Sequence, residues 1–405
     1  MAVNLPPLPE LYPVPGIRLG TSRAQLRKKD RRDLVVIECV PGTQVAAVFT
    51  QNRFCAAPVT VAREHLGQTA PRALLINTGF ANAGTGPEGL DDARRSCAAL
   101  ATIMGCTPQA VLPFSTGVIG ERLPLERLVA GLPDCLSAMS DRGWAEAAHG
   151  IMTTDTLPKG SSRRVAIEGK TITVTGIAKG AGMICPNMAT LLAFIATDAA
   201  VPSAVLQQCL GAAAEESFNR ISVDGDTSTN DSCVLLATGT SGFEVSATVG
   251  AAYKVFYEAV RDVLADLAQA IVRDAEGATK FITIEVVQGT SQADCLEVAY
   301  TIAHSPLVKT AFFASDPNWG RILAAIGRAR IPQLQVDRVS IHLDEVCIVR
   351  NGARAPEYSE TQGQAVMARS EIRMRVDLGG GTASARLWTC DLSHDYVTIN
   401  AEYRT

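Results

Sequence analysis

The sequence predicts a mixed α/β fold of the α+β kind, because helical and strand-like segments are both abundant and a regular β-α-β alternation is missing. The chain has 405 residues, which is enough for two or three domains at about 150 residues each. Hydrophobic residues make up 47% of the chain and charged residues 19%, a balance that supplies a large core and excludes global disorder. Short β-branched runs are interspersed with longer segments whose apolar residues recur at helical spacing.

The first half of the chain contains short strands, one clear helix and a hairpin. A helix is predicted over 91–104, because acids stand at its start and apolar residues follow at helical spacing. Gly169-Lys170 separates two strand-like runs and predicts a two-residue hairpin turn. The strands predicted in this half, each bounded by turn residues, are 34–40, 45–50, 73–78, 163–168 and 171–176.

The second half begins with two long helices and ends in a strand-rich region. Apolar stripes predict helices over 203–218 and 253–273, and a third helix runs through the 290s and 300s. The pattern of predicted helices and strands changes after a strand-like run at 281–287. This change predicts a main domain of 1–287 and a smaller C-terminal α/β domain of 288–405. The strands predicted near the end are 339–343, 346–350, 371–378, 384–390 and 395–399.

Composition excludes several classes of function. The net charge of −4 and the isoelectric point near 5.8 give no reason to expect a surface that binds nucleic acid. Eleven cysteines, an odd number without a CxxC pair, indicate reduced thiols in a cytoplasmic protein. Five histidines without HxxxH spacing predict no metal site. The proline-rich N-terminus lacks the pattern of a signal peptide, and no uncharged stretch is continuous enough for a membrane helix.

The most informative segment is KGAGMICPNMAT, which runs from Lys179 to Thr190 and is followed at once by the apolar run LLAFIAT. Small residues allow close approach to the backbone, and a threonine hydroxyl at such a junction can attack the preceding carbonyl. The same residues are also compatible with an ordinary glycine-rich turn before a buried strand. The segment alone leaves both interpretations open.

Other segments carry weaker signals. The Thr116-Gly117 pair follows an apolar strand and can turn backbone N–H groups toward a ligand as in an oxyanion hole, although a plain turn fits as well. DGDTSTND at 224–231 offers three carboxylates but lacks the calcium-loop spacing, so a polar loop near a site is the better interpretation. DPNWGR begins at Asp316 and predicts a helix start capped by that residue or by Ser315.

Seven motifs then occur in order along the chain and resemble the ArgJ family of ornithine acetyltransferases (glutamate N-acetyltransferases). The resemblance covers essentially the whole chain. The motifs are STGVIG, MTTDT, KGAGMICPNMAT, DGDTSTND, DAEGATK, DPNWGR and the terminal NAEYRT.

The resemblance implies a self-cleaving enzyme with a layered, N-terminal-nucleophile-like architecture. The precursor is expected to cut itself between Ala189 and Thr190, giving an α chain of 1–189 and a β chain of 190–405 that assemble as an α2β2 heterotetramer. Thr190 would take the acetyl group from N2-acetyl-L-ornithine and pass it to L-glutamate in a ping-pong cycle of arginine biosynthesis. No cofactor is expected, and the resemblance leaves open whether acetyl-CoA also serves as a donor.

The resemblance also implies roles for individual residues. Thr116 and Gly117 correspond to the oxyanion hole, and the α-amine of a new N-terminal Thr190 would serve as general base, since its reference pKa of about 7.7–8.0 lies near working pH. Lys179 and Asn400 suit the substrate α-carboxylate or acyl amide. The residues expected to bind substrate are Thr153, Lys179, Thr190, Glu276, Asn400 and Thr405.

Three further interpretations complete the sequence-based picture. Glu276 suits a cationic amine such as the ornithine side chain. Cys185 is interpreted as a packing residue, because no histidine stands near it in sequence to serve as its base. Two alternatives remain: a self-processing amidase or aminopeptidase that transfers the acyl group to water, and a polar-ligand binder without catalysis.

Overall fold

The computed structural model describes residues 2–27, 30–185 and 191–402. The strands in this part are β1 Ile17–Ser22, β2 Leu34–Cys39, β3 Gln44–Phe49, β4 Ala73–Phe80, β5 Val111–Val118, β6 Lys159–Ile167, β7 Lys170–Lys179, β8 Leu192–Thr197, β9 Ile221–Ser222, β10 Ser232–Ala237, β11 Phe281–Gly289, β12 Ser340–Leu343, β13 Val346–Arg350, β14 Ala353–Arg354, β15 Glu371–Asp377 and β16 Ala383–Cys390. The α-helices are α1 Ala57–Leu66, α2 Gly86–Met104, α3 Leu125–Ser137, α4 Trp144–Gly150, α5 Ser203–Glu215, α6 Ala251–Arg273, α7 Gln292–Ala303, α8 Pro306–Phe313, α9 Trp319–Gly327, α10 Glu360–Met367 and α11 His394–Ala401.

Two sheets packed face to face form the centre of the molecule. A four-stranded sheet has the order β1-β2-β4-β5, and a five-stranded sheet has the order β3-β10-β8-β7-β6. Their facing residues share one core, in which the rings of Phe114 and Phe194 meet edge to face with centroids 5.1 Å apart. Helices α2 and α3 cover the outer face of the first sheet, and α5 and α6 cover the outer face of the second. The result is a layered α-β-β-α sandwich, which confirms the predicted mixed α/β class.

The layering explains why β8 is apolar from Leu192 to Ala196. Phe194 and Ala196 point into the core between the two sheets, whereas Ala193 and Ile195 point into the core beneath α5 and α6. Both faces of the strand are therefore buried, and an alternating polar pattern has no place there. β8 pairs antiparallel with β7 so that Leu192 lies opposite Lys179.

A third sheet of seven strands, ordered β14-β13-β12-β15-β11-β16-β9, contains every strand that the structure describes after residue 280. It encloses its own core with α7, α8, α9 and α10. Its edge strand β9 comes from residues 221–222, which lie between α5 and β10 in sequence. The domain boundary near residue 287 stays a prediction, and that position falls within β11.

The structure corrects three local predictions. The hairpin turn is Glu168-Gly169 rather than Gly169-Lys170, because both residues have positive φ, as a type I′ turn requires. The predicted strand 395–399 is wrong: its β-branched residues belong to α11. The side chain of Ser393 caps that helix by accepting a hydrogen bond from the Tyr396 N–H. Helix α9 is capped by Asn318, not by Asp316 or Ser315.

Candidate active site

Several chain segments end at one edge of the sandwich and bring their polar residues together there. The Thr116-Gly117 pair directly precedes Val118, the last residue of β5. β7 ends at Lys179, and the segment that leads into β10 contains 228–231. Asn400 arrives from α11, whose start packs so closely against Gly277 that a Cβ there would lie 2.5 Å from the Tyr396 nitrogen. A glycine after α6 thus lets the last helix approach the site.

A cavity of about 260 Å³ lies at this edge, and we call it the reaction cavity. Every substrate-binding and oxyanion residue predicted from sequence that the structure describes lines it. These residues are Thr116, Gly117, Thr153, Lys179, Glu276 and Asn400. The predicted cleavage residues Ala189 and Thr190 and the predicted binding residue Thr405 lie outside the described residues.

Thr116 and Lys179 form a buried pair in the wall of this cavity. The Lys179 ammonium donates a hydrogen bond of 3.0 Å to the Thr116 hydroxyl oxygen, so the hydroxyl proton remains available to donate elsewhere. Burial lowers the pKa of Lys179, although the carboxylates of Asp155, Asp231 and Glu276 act in the opposite direction. An anionic group beside Lys179 would offset that desolvation.

Gly117 is held in a conformation and a place that suit glycine alone. Its φ is +136°, and a Cβ at this position would lie 2.3 Å from the carbonyl carbon of Gly79 and 2.6 Å from the nitrogen of Phe80. The close approach of β5 to β4 at this point therefore requires the absence of a side chain.

Replacing Gly117 by Ala is expected to lower the free energy of unfolding by about 2–6 kcal/mol, since the strain of a positive φ adds to a clash with backbone atoms. Gly120 is a matched control, because it also has a positive φ of +84° but its Cβ would meet no described atom within 4 Å. Gly120→Ala should cost only the backbone strain, about 1–3 kcal/mol. Urea unfolding of both variants measures the difference, and equal losses would contradict the close approach at Gly117.

Glu276 and Asn400 form a second pair across the cavity. The Asn400 side-chain amide donates to Glu276 Oε2 at 2.8 Å, and the Glu276 backbone N–H donates to the Ala181 carbonyl at 2.9 Å. A Cβ on Gly182 would lie 2.4 Å from Glu276 Oε2. The glycine at 182 thus makes room for the carboxylate, which gives the KGAGM segment a role in shaping the cavity.

A buried ion network that no sequence motif indicates connects three parts of the site. The Lys159 ammonium lies 2.7 Å from Asp155 Oδ1 and 2.7 Å from Asp274 Oδ2, and all three side chains are at most 1% exposed. Asp155 accepts hydrogen bonds from the backbone N–H groups of Thr153 and Gly180. Burial alone would raise the pKa of Asp155, but the Lys159 and Lys179 charges lower it below the usual range.

The acidic loop at 224–231 is a polar support of the site, as the sequence indicated. The Asn230 side-chain amide donates to the carbonyls of Ala81, at 2.6 Å, and Ser115, at 2.9 Å, which fixes the end of β5. Asp224 accepts hydrogen bonds from the backbone N–H groups of Met183 and Ile184. Within the described ranges no three His, Cys, Asp or Glu side chains are grouped so that they could hold a metal ion.

Asp231 contacts Leu191, the first described residue after the predicted cleavage junction. Its Oδ1 accepts a hydrogen bond of 3.0 Å from the Leu191 N–H, which belongs to the peptide bond between residues 190 and 191. Its Oδ2 is buried and has no hydrogen-bond partner among the described residues. Burial raises the pKa of Asp231 well above its usual value.

Cys185 has a histidine neighbour that the sequence did not reveal. His304 Nε2 lies 3.7 Å from the Cys185 sulfur and 2.9 Å from the Ser222 hydroxyl. Burial raises the pKa of the thiol to about 12, helped by Asp224 and Asp226, and burial lowers the pKa of His304. Both groups are therefore neutral near pH 7, so the pair does not supply a thiolate nucleophile.

The layered α-β-β-α sandwich and the polar cavity at its edge are those of an enzyme of the mixed α/β class. None of the α-helices in the described ranges could span a lipid bilayer. The sequence model of the ArgJ family matches residues 18–405, and the chain belongs to this family.

Full-length relatives share this assignment. The chain is 57% identical over 406 residues to the arginine biosynthesis bifunctional protein ArgJ of Pseudomonas syringae pv. tomato, with 100% of both chains covered. It is 60% identical over 395 residues to the protein of the same name from Methylococcus capsulatus, covering 98% of this chain and 97% of the relative. A crystal structure of the arginine biosynthesis bifunctional protein ArgJ from Bacillus halodurans is 37% identical, covers 50% of this chain and 95% of that one, and has a TM-score of 0.48.

Proposed function

We propose that this protein is a glutamate N-acetyltransferase of arginine biosynthesis. It moves the acetyl group of N2-acetyl-L-ornithine to L-glutamate through an acetyl-Thr190 intermediate. The observation that carries the proposal is the reaction cavity, where a threonine-glycine pair, a buried ammonium, a carboxylate and an amide meet in about 260 Å³. Membership of the ArgJ family supports the same reaction.

The contacts of Thr116 support its role in the oxyanion hole. Because Lys179 donates to the Thr116 oxygen, the hydroxyl proton is directed to another acceptor, and the oxyanion of a tetrahedral intermediate is such an acceptor. The Gly117 backbone N–H is the second proposed donor. Loss of one oxyanion donor typically lowers kcat by about 10²–10³-fold.

The charged groups of the cavity suit an amino-acid substrate. Lys179 is buried and its pKa is lowered by burial, so a substrate carboxylate beside it would stabilise the ammonium form. The carboxylate of Glu276, oriented by Asn400, suits an amine of the substrate. Thr153 and Thr405 complete the proposed binding set, with Thr405 proposed from the family pattern alone.

Self-cleavage between Ala189 and Thr190 is part of the proposal, because it creates the catalytic base. An internal threonine has no amine of its own, whereas an N-terminal threonine carries an α-amine that takes the hydroxyl proton directly or through a water. The products, 1–189 and 190–405, are proposed to remain together as an α2β2 heterotetramer in the cytoplasm. No cofactor is proposed, and acetyl-CoA is proposed as a second acetyl donor.

An acetyl-transfer assay tests this function. The purified protein is incubated with N2-acetyl-L-ornithine and L-glutamate, and we expect L-ornithine and N-acetyl-L-glutamate in equal amounts. Acetate formation at the same rate with and without glutamate, and no N-acetyl-L-glutamate, would instead identify a hydrolase. A parallel reaction with acetyl-CoA and glutamate, without acetylornithine, tests the second donor.

A further inference from the structure

A second cavity of about 210 Å³ adjoins the reaction cavity, and we call it the side cavity. The two cavities share Gly117 and Thr153 in their walls, so they meet beside the proposed oxyanion hole. The charged residues that line the side cavity are two arginines, Arg27 and Arg31, and two acids, Asp33 and Glu402. A substrate that reacts next to Gly117 therefore has two directions in which its side chain can extend.

The charges of the reaction cavity do not match both amino acids of the proposed reaction. Among the described residues that line it, Lys179 is the one cation and Glu276 is the one carboxylate. L-Glutamate has two carboxylates, and Lys179 can neutralise one of them. The other carboxylate would face the like charge of Glu276, which is unfavourable in a partly desolvated cavity. Binding of the second glutamate carboxylate therefore requires a cation outside the reaction cavity.

Arg31 is placed to supply that cation. Its side chain is half-buried and donates one hydrogen bond of 2.7 Å to the Thr153 carbonyl, out of the five N–H donors of a guanidinium. Within the described ranges no carboxylate lies within ion-pair distance of Arg31. The nearby Asp33 accepts the backbone N–H groups of Ala24 and Leu26 with its two oxygens.

The neighbouring arginine is engaged differently. The Arg27 guanidinium lies 2.7 Å from a Glu121 oxygen and 5.6 Å from the ring centroid of Phe80. Arg31, by contrast, carries a charge that burial disfavours: burial lowers its pKa, and Asp155 and Asp33 offset this only in part. A bound carboxylate would complete its environment through charge-assisted hydrogen bonds.

We propose that the side cavity binds the side chain of the acetyl acceptor, with Arg31 binding the γ-carboxylate of L-glutamate. The inference rests on the proposed acetyl transfer and names the residue that selects the acceptor. The two substrates then separate by charge beside Gly117. The ammonium of the ornithine side chain extends toward Glu276, and the carboxylate of the glutamate side chain extends toward Arg31.

The test compares acceptors and kinetic constants in Arg31 variants. Wild-type protein should prefer L-glutamate to L-glutamine as acceptor by at least about tenfold, and Arg31→Gln should bring this ratio close to one. Arg31→Gln should raise the KM for glutamate about 10–100-fold more than the KM for acetylornithine, the range for losing a charge-assisted hydrogen bond. Arg31→Lys keeps the positive charge but lacks the planar guanidinium that can donate two parallel hydrogen bonds to a carboxylate. This variant should give an intermediate preference for glutamate over glutamine.

A second arginine that donates to a single backbone carbonyl provides a matched control for Arg31. Arg328→Gln removes an exposed guanidinium that also donates to one backbone carbonyl, that of Thr301, and should leave both KM values unchanged. If Arg31 only positions Thr153 through its carbonyl, both KM values rise together in Arg31→Gln, and the inference is overturned. A wild-type protein that accepts glutamine as well as glutamate overturns it without any variant. Failure of the proposed function is a different result: wild-type protein would then form no N-acetylglutamate at all.

Discussion

A Thr190→Ala protein is expected to remain one uncut chain of 42.8 kDa and to form no N-acetylglutamate from acetylornithine. The hydroxyl of residue 190 is proposed to act twice, first on the preceding carbonyl during cleavage and then on the acetyl group. Alanine removes that hydroxyl, so both reactions are lost together. Intact mass spectrometry measures the cleavage, and the acetyl-transfer assay measures the second reaction. A cut and active Thr190→Ala protein would refute the assignment of the nucleophile.

Two controls separate the chemistry from folding. Thr190→Ser keeps a hydroxyl and should cut itself and transfer acetyl groups at a reduced rate. Thr102→Ala removes a threonine hydroxyl on the exposed side of α2, where it donates to the Ala98 carbonyl, and should leave cleavage and transfer unchanged. A Thr190→Ala protein that melts in one cooperative transition near the melting temperature of the wild-type protein would show that the loss is chemical.

Most of the fold was predictable because its elements carry local signals. The strands of the central sandwich have apolar runs between turn residues, and α2, α5 and α6 have apolar stripes at helical spacing. The failure at 395–399 is instructive. The residues Tyr396 to Ile399 are β-branched or aromatic and favour a strand, but the Ser393 cap and packing against Gly277 favour a helix. The tertiary contact with Gly277 therefore favoured the helix over the strand that the local residues prefer.

Site residues that belong to a sequence motif could be predicted one by one. Contacts between residues far apart in the sequence could not be predicted. Thr116, Lys179 and Asn400 stand in motifs, and the structure places them in one cavity. Arg31 stands in a charged run that resembles a solvated loop, so sequence alone gives no reason to connect it with Thr153. The contact of His304 with Cys185 joins residues 119 positions apart, a separation that no local pattern reports.

The network of Lys159 with Asp155 and Asp274 could not be predicted either, because Asp274 is far from the other two residues in sequence. The network joins the segments that contain Thr153, Gly180 and Glu276. Asp155 accepts the N–H groups of Thr153 and Gly180, and Asp274 stands two residues before Glu276. Lys159 therefore acts as a positioning residue rather than a catalytic residue, because in the described part of the chain its ammonium contacts these carboxylates and the Leu157 carbonyl. A lysine in this place holds three site-bearing segments in one arrangement.

Replacing Lys159 by Met is expected to lower the free energy of unfolding by about 3–5 kcal/mol, since it leaves two buried carboxylates without their cation. The loss should depend on pH with a definite sign. In the wild type the charged lysines lower the pKa of Asp155, so its contribution to stability is present at neutral pH and is lost as the pH falls through that lowered value. In the variant, Lys179 remains beside Asp155 but the Lys159 charge is gone, so burial is opposed less and the pKa of Asp155 rises from its wild-type value. The folded variant then takes up a proton at a higher pH than the wild type does, so the difference in stability should shrink between pH 7 and pH 5.

Urea unfolding at the two pH values measures this, with Lys254→Met, at an exposed position of α6, as the control that should change stability by less than about 0.5 kcal/mol. Adding Asp274→Asn to Lys159→Met should restore part of the loss, because it removes one of the two unpaired buried charges. The single variant should also raise the KM for acetylornithine, as Thr153 and Glu276 lose their common support. A loss of stability that is the same at pH 7 and pH 5 and is unaffected by Asp274→Asn would mean that Lys159 contributes by packing its aliphatic stem, and not by holding the two carboxylates together.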